Sequence, residues 1–293
     1  TGAMRPMSSI ALQSAAIAAY LKACELELQA FKPGNVSQYS EGHGMTVADF
    51  RRSAEASAPC LADMRLPLGE RVFRAIDATW AAVGCNTNLG IVLLAAPLMQ
   101  AFMDPPPDRS LGFHAAVKEV LQQTTIADAD WVYRAIRRAR PAGLGAAPEQ
   151  DVHMTPNVTL LQTMALAADR DTIARQYTDS FADIFHTAVP MYDARLSQGD
   201  NEEWATVAVY ASFLSRYPDS HVQRKLGVTA SIQVSARMAG VEAALSASGS
   251  LNEKLDLLRQ LDTEFKAGGI NPGTSADLTV ATLLAAQLNS RYR

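Results

Sequence analysis

The sequence predicts an all-α fold, a single globular multi-helix domain, and three observations carry that expectation. Alanine, leucine and methionine are frequent, apolar residues recur at three- and four-residue intervals, and the β-branched alternation of a half-buried strand is almost absent. A chain of 293 residues can bury a substantial core, and neither a fixed-period repeat nor a low-complexity linker divides it.

Taken in order, Ser8 or Ser9 can cap a first helix to about Ala30, with Ile10, Ile17, Leu21, Cys24 and Leu28 on one face. Lys32-Pro33-Gly34-Asn35 ends it, because proline lacks the amide donor that a helix needs. A polar loop over 36–44 leads to a second helix capped by Thr46. Further helices are expected at about 69–83, 89–102, 112–123 and 127–139, with Pro105–Pro107 and Pro141 to Pro148 as loops. The second half continues with 157–168, 171–189, 202–215, 228–246, 251–266 and 275–290. The apolar runs 91–98 and 160–168 are short enough to be buried strands instead.

Composition excludes several classes of function. A net charge of −4 argues against nucleic acid or an anionic membrane as the main partner. Cys24, Cys60 and Cys85 are odd in number and lack metal-ligand spacing, which fits a reduced, cytoplasmic protein. Thr1 to Met4 resembles a cloning remnant, so residues 1–7 are read as that or as a disordered N-terminus. The longest apolar run, Ile91 to Met99, contains Pro97 and falls short of the roughly 20 residues that span a bilayer, so no membrane segment is expected. No Walker, dinucleotide-binding, zinc or nucleophile-elbow motif is present.

Four polar clusters suit phosphate or ribose better than a metal cage. Glu27 precedes Lys32-Pro33-Gly34-Asn35, where Lys32 either satisfies the last carbonyls of a helix or meets a phosphate from a rigid turn. Gly84-Cys85-Asn86-Thr87-Asn88-Leu89-Gly90 runs into an apolar helix and is either an ordinary cap or an anion site made of free amides. Asp219, Ser220, His221, Arg224 and Lys225 follow Pro218 at a helix start, as a solvated face or as a phosphate clamp. Gly268-Gly269-Ile270-Asn271-Pro272-Gly273-Thr274-Ser275 forms a structured turn with Asp277 in the first turn of the helix that follows. Asp277 is either stabilised by the helix dipole or free to hold Mg2+ or a ribose hydroxyl. His43, Asp128, Asp130 and Asp151 are weaker candidates, better read as a solvated loop histidine, caps and surface charges.

In this order the clusters resemble the triphosphoribosyl-dephospho-CoA synthase family. The matching pieces are Glu27 with Lys32-Pro33-Gly34-Asn35-Val36, His43 with Met45, Phe50 and Ser53, Asn86-Thr87 with Gly90, and Asn271-Pro272-Gly273 with Ser275-Ala276-Asp277-Leu278. The resemblance spans nearly the whole chain. It implies an all-helical transferase-like domain over 8–293 that moves a triphosphoribosyl group from ATP to 3′-dephospho-CoA and releases adenine. Asn88 and Leu89 stand where the synthases carry histidine and a basic residue, and Gly44 stands where they carry aspartate. The Asn-Thr-Asn-Leu-Gly form is similar to a divergent branch in methanogens and methylotrophs, which leaves the acceptor open.

Such chemistry needs the triphosphate neutralised and a carboxylate near the sugar cation or the acceptor hydroxyl. On the resemblance, ATP is the substrate and Mg2+ its companion. Lys32, Arg224 and Lys225 are expected at phosphates and Asn86 and Thr87 at phosphate or ribose. Asn35, Asn88, Ser220, His221, Asn271, Gly273 and Ser275 complete the nucleotide site. Glu27, Asp219 and Asp277 share the metal and base roles in an order left open. The expected partners are small-molecule nucleotides and a second copy of the chain in a homodimer. Two rivals stand beside this reading. One is a related transferase acting on a different phosphorylated or heterocyclic acceptor in tetrahydromethanopterin- or methanofuran-type cofactor synthesis, and the other is a non-enzymatic helical adaptor. Because each cluster is a glycine-containing turn at a helix end, Lys32, Asn86 and Asn271 are expected to line one pocket, with the Asp277 carboxylate in its wall.

Overall fold

The computed structural model describes residues 8–106, 108–141, 149–247 and 249–292. Residues 1–7, Pro107 and most of the 141–148 loop, on which three of the expectations above fall, lie outside the described residues. Among those described there are fourteen α-helices and no strand. The only β-pairing among them is two isolated bridges, Ser37 with Ser40 and Gly42 with Met45. The runs 91–98 and 160–168 are both helical.

Helix α1 (Ser9–Gln29) is capped by the Ser8 hydroxyl. Its buried face runs through Ala16, Ala19, Tyr20, Ala23 and Glu27, whereas Ile10 is exposed. Of the expected face, Cys24 and Leu28 are also buried and Ile17 and Leu21 pack against the core, while small alanines let neighbouring helices approach closely. Thr46 caps α2 (Val47–Leu61) in a reciprocal capping box with Asp49. Helices α3 (Leu68–Val83), α4 (Leu89–Met103), α5 (Gly112–Gln122) and α6 (Ile126–Ala139) follow close to expectation. Asp128, in the first turn of α6, closes the Thr125 capping box and also accepts from the amide of Gly69, joining α6 to α3.

The expected single helix at 171–189 is broken. After α7 (Leu160–Ala167), α8 (Thr172–Thr178) stops before Ser180 and Phe181, which have φ of 57° and 62°. A π-helical turn at Ile184–Ala188 then leads into α9 (Val189–Ser197). Two left-handed non-glycine residues cost about 1–3 kcal/mol each. Complete burial of Phe181 and Ile184 in the core offsets that cost, a tertiary gain with no local signature.

Helices α10 (Glu202–Arg216), α11 (Ser220–Leu226), α12 (Val228–Ser246) and α13 (Leu251–Ala267) build a second apolar cluster around Tyr210, Leu214, Met238, Leu258 and Phe265. Helix α14 (Gly273–Arg291) packs against α1, α4 and α10 and carries Leu278, Leu284 and Leu288 into the larger cluster, while Ala276 belongs to the smaller. Its buried Thr279 and Thr282 hydroxyls donate to the carbonyls of Ser275 and Leu278, each at 2.8 Å, so neither is left unsatisfied. No described helix is long and apolar enough to cross a membrane. The seam between the two clusters, where α1 ends and α14 begins, is where the polar turns collect.

Candidate functional site

At that seam lies a cavity of about 580 Å³, within the size range of small-molecule sites. Asn86 and Asn271 both line it, together with Asn35, His221, Arg224 and Asp277. Glu27, Thr87 and Gly273 also reach its wall. Three sequence clusters therefore meet at one site, and the fourth contributes through Glu27 and Asn35.

The Lys-Pro-Gly-Asn turn is held from four directions. Gly34 donates its amide to Asp262 Oδ1 at 2.8 Å, and its carbonyl meets His43 Nε2 at 2.8 Å. Tyr210 donates to the Pro33 carbonyl at 2.8 Å, and Asn35 Nδ2 to Asn271 Oδ1 at 2.8 Å. Gly34 adopts φ of 82°, and a β-carbon there would lie 2.9 Å from Pro272 Cδ, so only glycine lets this turn press against the start of α14.

Lys32 is placed differently from the sequence expectation. Its side chain is fully buried, and its ammonium is taken up by Glu27 Oε1 at 2.5 Å, by Asn35 Oδ1 at 3.0 Å and by the Val36 carbonyl. With all three donors used, it lies behind the cavity wall and holds Glu27 and Asn35. Burial depresses the Lys32 pKa and raises that of Glu27, and each partner's charge opposes the other's shift.

Asn86 Oδ1 accepts from the amide of Leu89 at 3.2 Å, and Thr87 donates to Ser53 Oγ at 2.5 Å. Asn88 is buried against α2, with Nδ2 3.4 Å from Ser57 Oγ, and does not line the cavity. Two oxygens of one side chain clamp the third cluster to the fourth. Asp219 Oδ1 accepts from the amides of His221 and Val222 at 2.9 and 3.1 Å, and Oδ2 accepts from the Ser275 amide and hydroxyl at 2.7 and 2.8 Å. Asp219 and Ser275 are thereby consumed in positioning and, like Ser220, lie off the cavity wall. Ser220 Oγ instead accepts from the Thr172 amide at 2.8 Å. Lys225 is exposed outside the cavity.

Asp277 faces the cavity, and no hydrogen bond or ion pair among the described residues engages its carboxylate. Burial raises its pKa well above the usual carboxylate range, and the charges of Asp219 and Glu27 add to the shift. The carboxylate rests on the bare backbone of Gly90. Glu27, Asp219 and Asp277 do not form a metal cage: no cluster of three or more metal-ligating side chains occurs among the described residues.

Sequence reasoning missed Asp171 and Arg170. Asp171 caps α8 through Oδ1, and its Oδ2 holds Arg224 Nη1 at 2.8 Å. Its position at a helix start was visible, but its pairing with Arg224 joins segments 53 residues apart. Arg170 lines the mouth beside it. Burial lowers the His221 pKa, which nearby Asp219 partly opposes, so the ring tends toward its neutral form.

The sequence profile of the CitG family, ATP:dephospho-CoA triphosphoribosyl transferase, matches residues 13–293. A crystal structure from Archaeoglobus fulgidus, assigned as a triphosphoribosyl-dephospho-CoA synthase, shares the fold with a TM-score of 0.63 at 23% identity, over 82% of this chain and 99% of that one. No curated protein sequence matches the chain. Family membership retires the adaptor reading. The chain belongs to the ATP:dephospho-CoA triphosphoribosyl transferase family and is an enzyme of the triphosphoribosyl-dephospho-CoA synthase type, with ATP as substrate.

Proposed function

We propose that ribosyl transfer takes place in this cavity, with Asp277 beside the anomeric carbon. The observation that carries the assignment is the unengaged Asp277 carboxylate in a wall that also presents Arg224, His221 and Asn271. In the transfer the acceptor hydroxyl oxygen bonds to ribose C1 as the C1–N9 bond breaks, and the bonding pair leaves on adenine. The hydroxyl proton passes to a base, and adenine takes up a proton. A carboxylate facing C1 stabilises the positive charge that builds on the sugar. Arg224 and Arg170 are assigned to the phosphates and Asn35, Asn86, Thr87 and Asn271 to phosphate or ribose. Lys32, Asp219 and Ser275 position these groups from behind.

The wall carries five carboxylates among the described residues, Glu27, Glu149, Asp151, Asp171 and Asp277, against the guanidiniums of Arg170 and Arg224. A triphosphate entering it needs a cation. Mg2+ typically keeps several waters and takes only one or two protein carboxylates beside substrate phosphates, so this donor set fits it without a preformed cage. Asp277 would hold it, with the substrate phosphates and water as its other ligands, and it would supply charge neutralisation. Incubation with Mg-ATP and dephospho-CoA should release free adenine. Adenine no higher than in a control without acceptor would overturn the assignment.

A different acceptor in one-carbon cofactor synthesis is favoured by one observation: Leu89 lines the cavity where the synthases carry a basic residue. A screen of phosphorylated and heterocyclic hydroxyl compounds with ATP separates the two readings. We also propose a homodimer, for which exposed Ile232 on α12 is the supporting observation and sedimentation the test, and a cytoplasmic location, tested by fractionation of cells.

A further inference from the structure

The cavity wall is not uniform. Leu93 on α4, Val132 and Ile136 on α6, Met164 on α7 and Ile173 on α8 line it with apolar side chains from helices that contact one another, and this part is the apolar arm. Four helices thus bring apolar side chains to a cavity that Asn86, Asn271, Arg224 and Asp277 line elsewhere. Tyr133, at its side, already donates its hydroxyl to the Gln150 carbonyl at 2.6 Å. A phosphate or a bare sugar placed in the arm would lose its hydration without finding donors, whereas a flat heterocycle would bury its faces against aliphatic carbon.

The order of groups along α4 fixes the direction of a guest. Gly90 and Leu93 stand three residues apart in α4, a rise of about 4.5 Å, so they lie along one side of the helix start. Over that rise the wall passes from the bare backbone of Gly90, against which Asp277 rests, to the leucine. The Asp277 carboxylate marks the boundary. Glycosyl chemistry requires the stabilising carboxylate at the junction of sugar and base, because that bond breaks.

We propose that the apolar arm is a nucleobase subsite that takes the adenine of ATP, with the polyphosphate at the Arg224 and His221 rim and the ribose beside Gly90 and Asp277. The assignment rests on the ribosyl-transfer reading above and adds to it the binding direction of the donor. Dephospho-CoA also carries adenine, and the experiment separates the two sources.

The test is calorimetric titration of the full chain, in Mg2+-containing buffer, with ATP, inorganic tripolyphosphate and dephospho-CoA in turn. Wild-type protein should bind ATP at least about tenfold more tightly than tripolyphosphate. Met164→Trp fills the arm and should weaken ATP by about tenfold or more, while tripolyphosphate and dephospho-CoA stay within roughly twofold. Unchanged ATP affinity, equal weakening of ATP and tripolyphosphate, or a loss confined to dephospho-CoA would each overturn the subsite. If Met164→Trp does not fold, the wild-type comparison decides, and ATP binding no tighter than tripolyphosphate rejects it. Binding of tripolyphosphate and ATP with equal strength sinks the base subsite alone, whereas binding of neither sinks the ribosyl-transfer reading with it.

Discussion

The carboxylate of Asp277 sits where the side chain of residue 90 would be: a β-carbon built on Gly90 would lie 2.0 Å from Asp277 Oδ2 and 2.6 Å from Ile173 Cδ1. Glycine in the first turn of α4 is therefore a condition of the site's geometry. Gly90→Ala should favour the helix intrinsically by up to about 1 kcal/mol, yet it must push the carboxylate aside. A displacement of about 1 Å at reacting groups can cost on the order of 100-fold in rate. We expect kcat to fall by about that factor while the urea midpoint moves little. An active Gly90→Ala enzyme would show that Asp277 is not used where it stands.

Arg224 and its neighbour Lys225 make a matched pair of controls. Arg224 lines the cavity and is held by Asp171, whereas Lys225 is exposed outside it. Arg224→Ala should weaken ATP by roughly 10- to 150-fold, the worth of a charge-assisted hydrogen bond of about 1.5–3 kcal/mol. Lys225→Ala should leave calorimetric affinity nearly unchanged. Equal losses in the two variants would return both residues to a diffuse electrostatic role.

Lys32→Met leaves the Glu27 carboxylate buried without its counter-ion. Breaking one side of a buried pair costs about 3–5 kcal/mol, measurable by urea unfolding. The double variant Glu27→Gln with Lys32→Met should recover a large part of that loss, because no isolated charge remains. If single and double variants are equally unstable, the 2.5 Å contact is not a coupled pair.

Asp219→Ala removes four hydrogen bonds at once, two that cap α11 and two that tie it to Ser275. Loss of the cap alone is worth about 0.5–2 kcal/mol. The tie to Ser275 adds to it, and nucleotide affinity should fall along with stability because His221 and Arg224 ride on α11. In a Ser275→Ala background the Asp219→Ala penalty should shrink. Additive penalties would argue against the clamp.

A pH prediction follows from Asp183. Burial acts to raise its pKa, but hydrogen bonds from Gln176 at 2.7 Å, Tyr217 at 2.8 Å and Arg175 at 3.0 Å prevail and hold it below the usual carboxylate range. A native pKa below the unfolded value of about 3.9 stabilises the fold above that pH, and the contribution is lost as pH falls through the depressed native value. Asp183→Asn should be less stable than wild type at pH 7, and the gap should begin to narrow near about pH 4 and close below the depressed native value. A gap that persists in acid would assign the loss to packing.

What the sequence disclosed and what it hid divide along the range of the interactions. Caps are local, so Ser8 and Thr46 marked their helices, and α12 begins at Val228 as expected because Gly227 breaks the chain there. The break at Ser180 and Phe181 was invisible, because its cause is the burial of Phe181 among residues remote in sequence. The same limit governs the site. Asn86, Asn271 and Asp277 announced themselves as polar turns at helix ends, but nothing near Lys32 says that its ammonium is buried. Nor does anything near Asp171 reveal that it holds Arg224.

Helix α14 gives the molecule a temporal property. It is the last helix described, it brings Asp277 to the cavity, and it lies against α1, the first. During synthesis every other wall of the cavity emerges before the Asp277 carboxylate. Until residues 273–291 have left the ribosome, the preceding helices surround a groove where Leu284 and Leu288 will later sit, both fully buried in the finished protein. A chain truncated before α14 therefore lacks buried core side chains and the Asp277 carboxylate together.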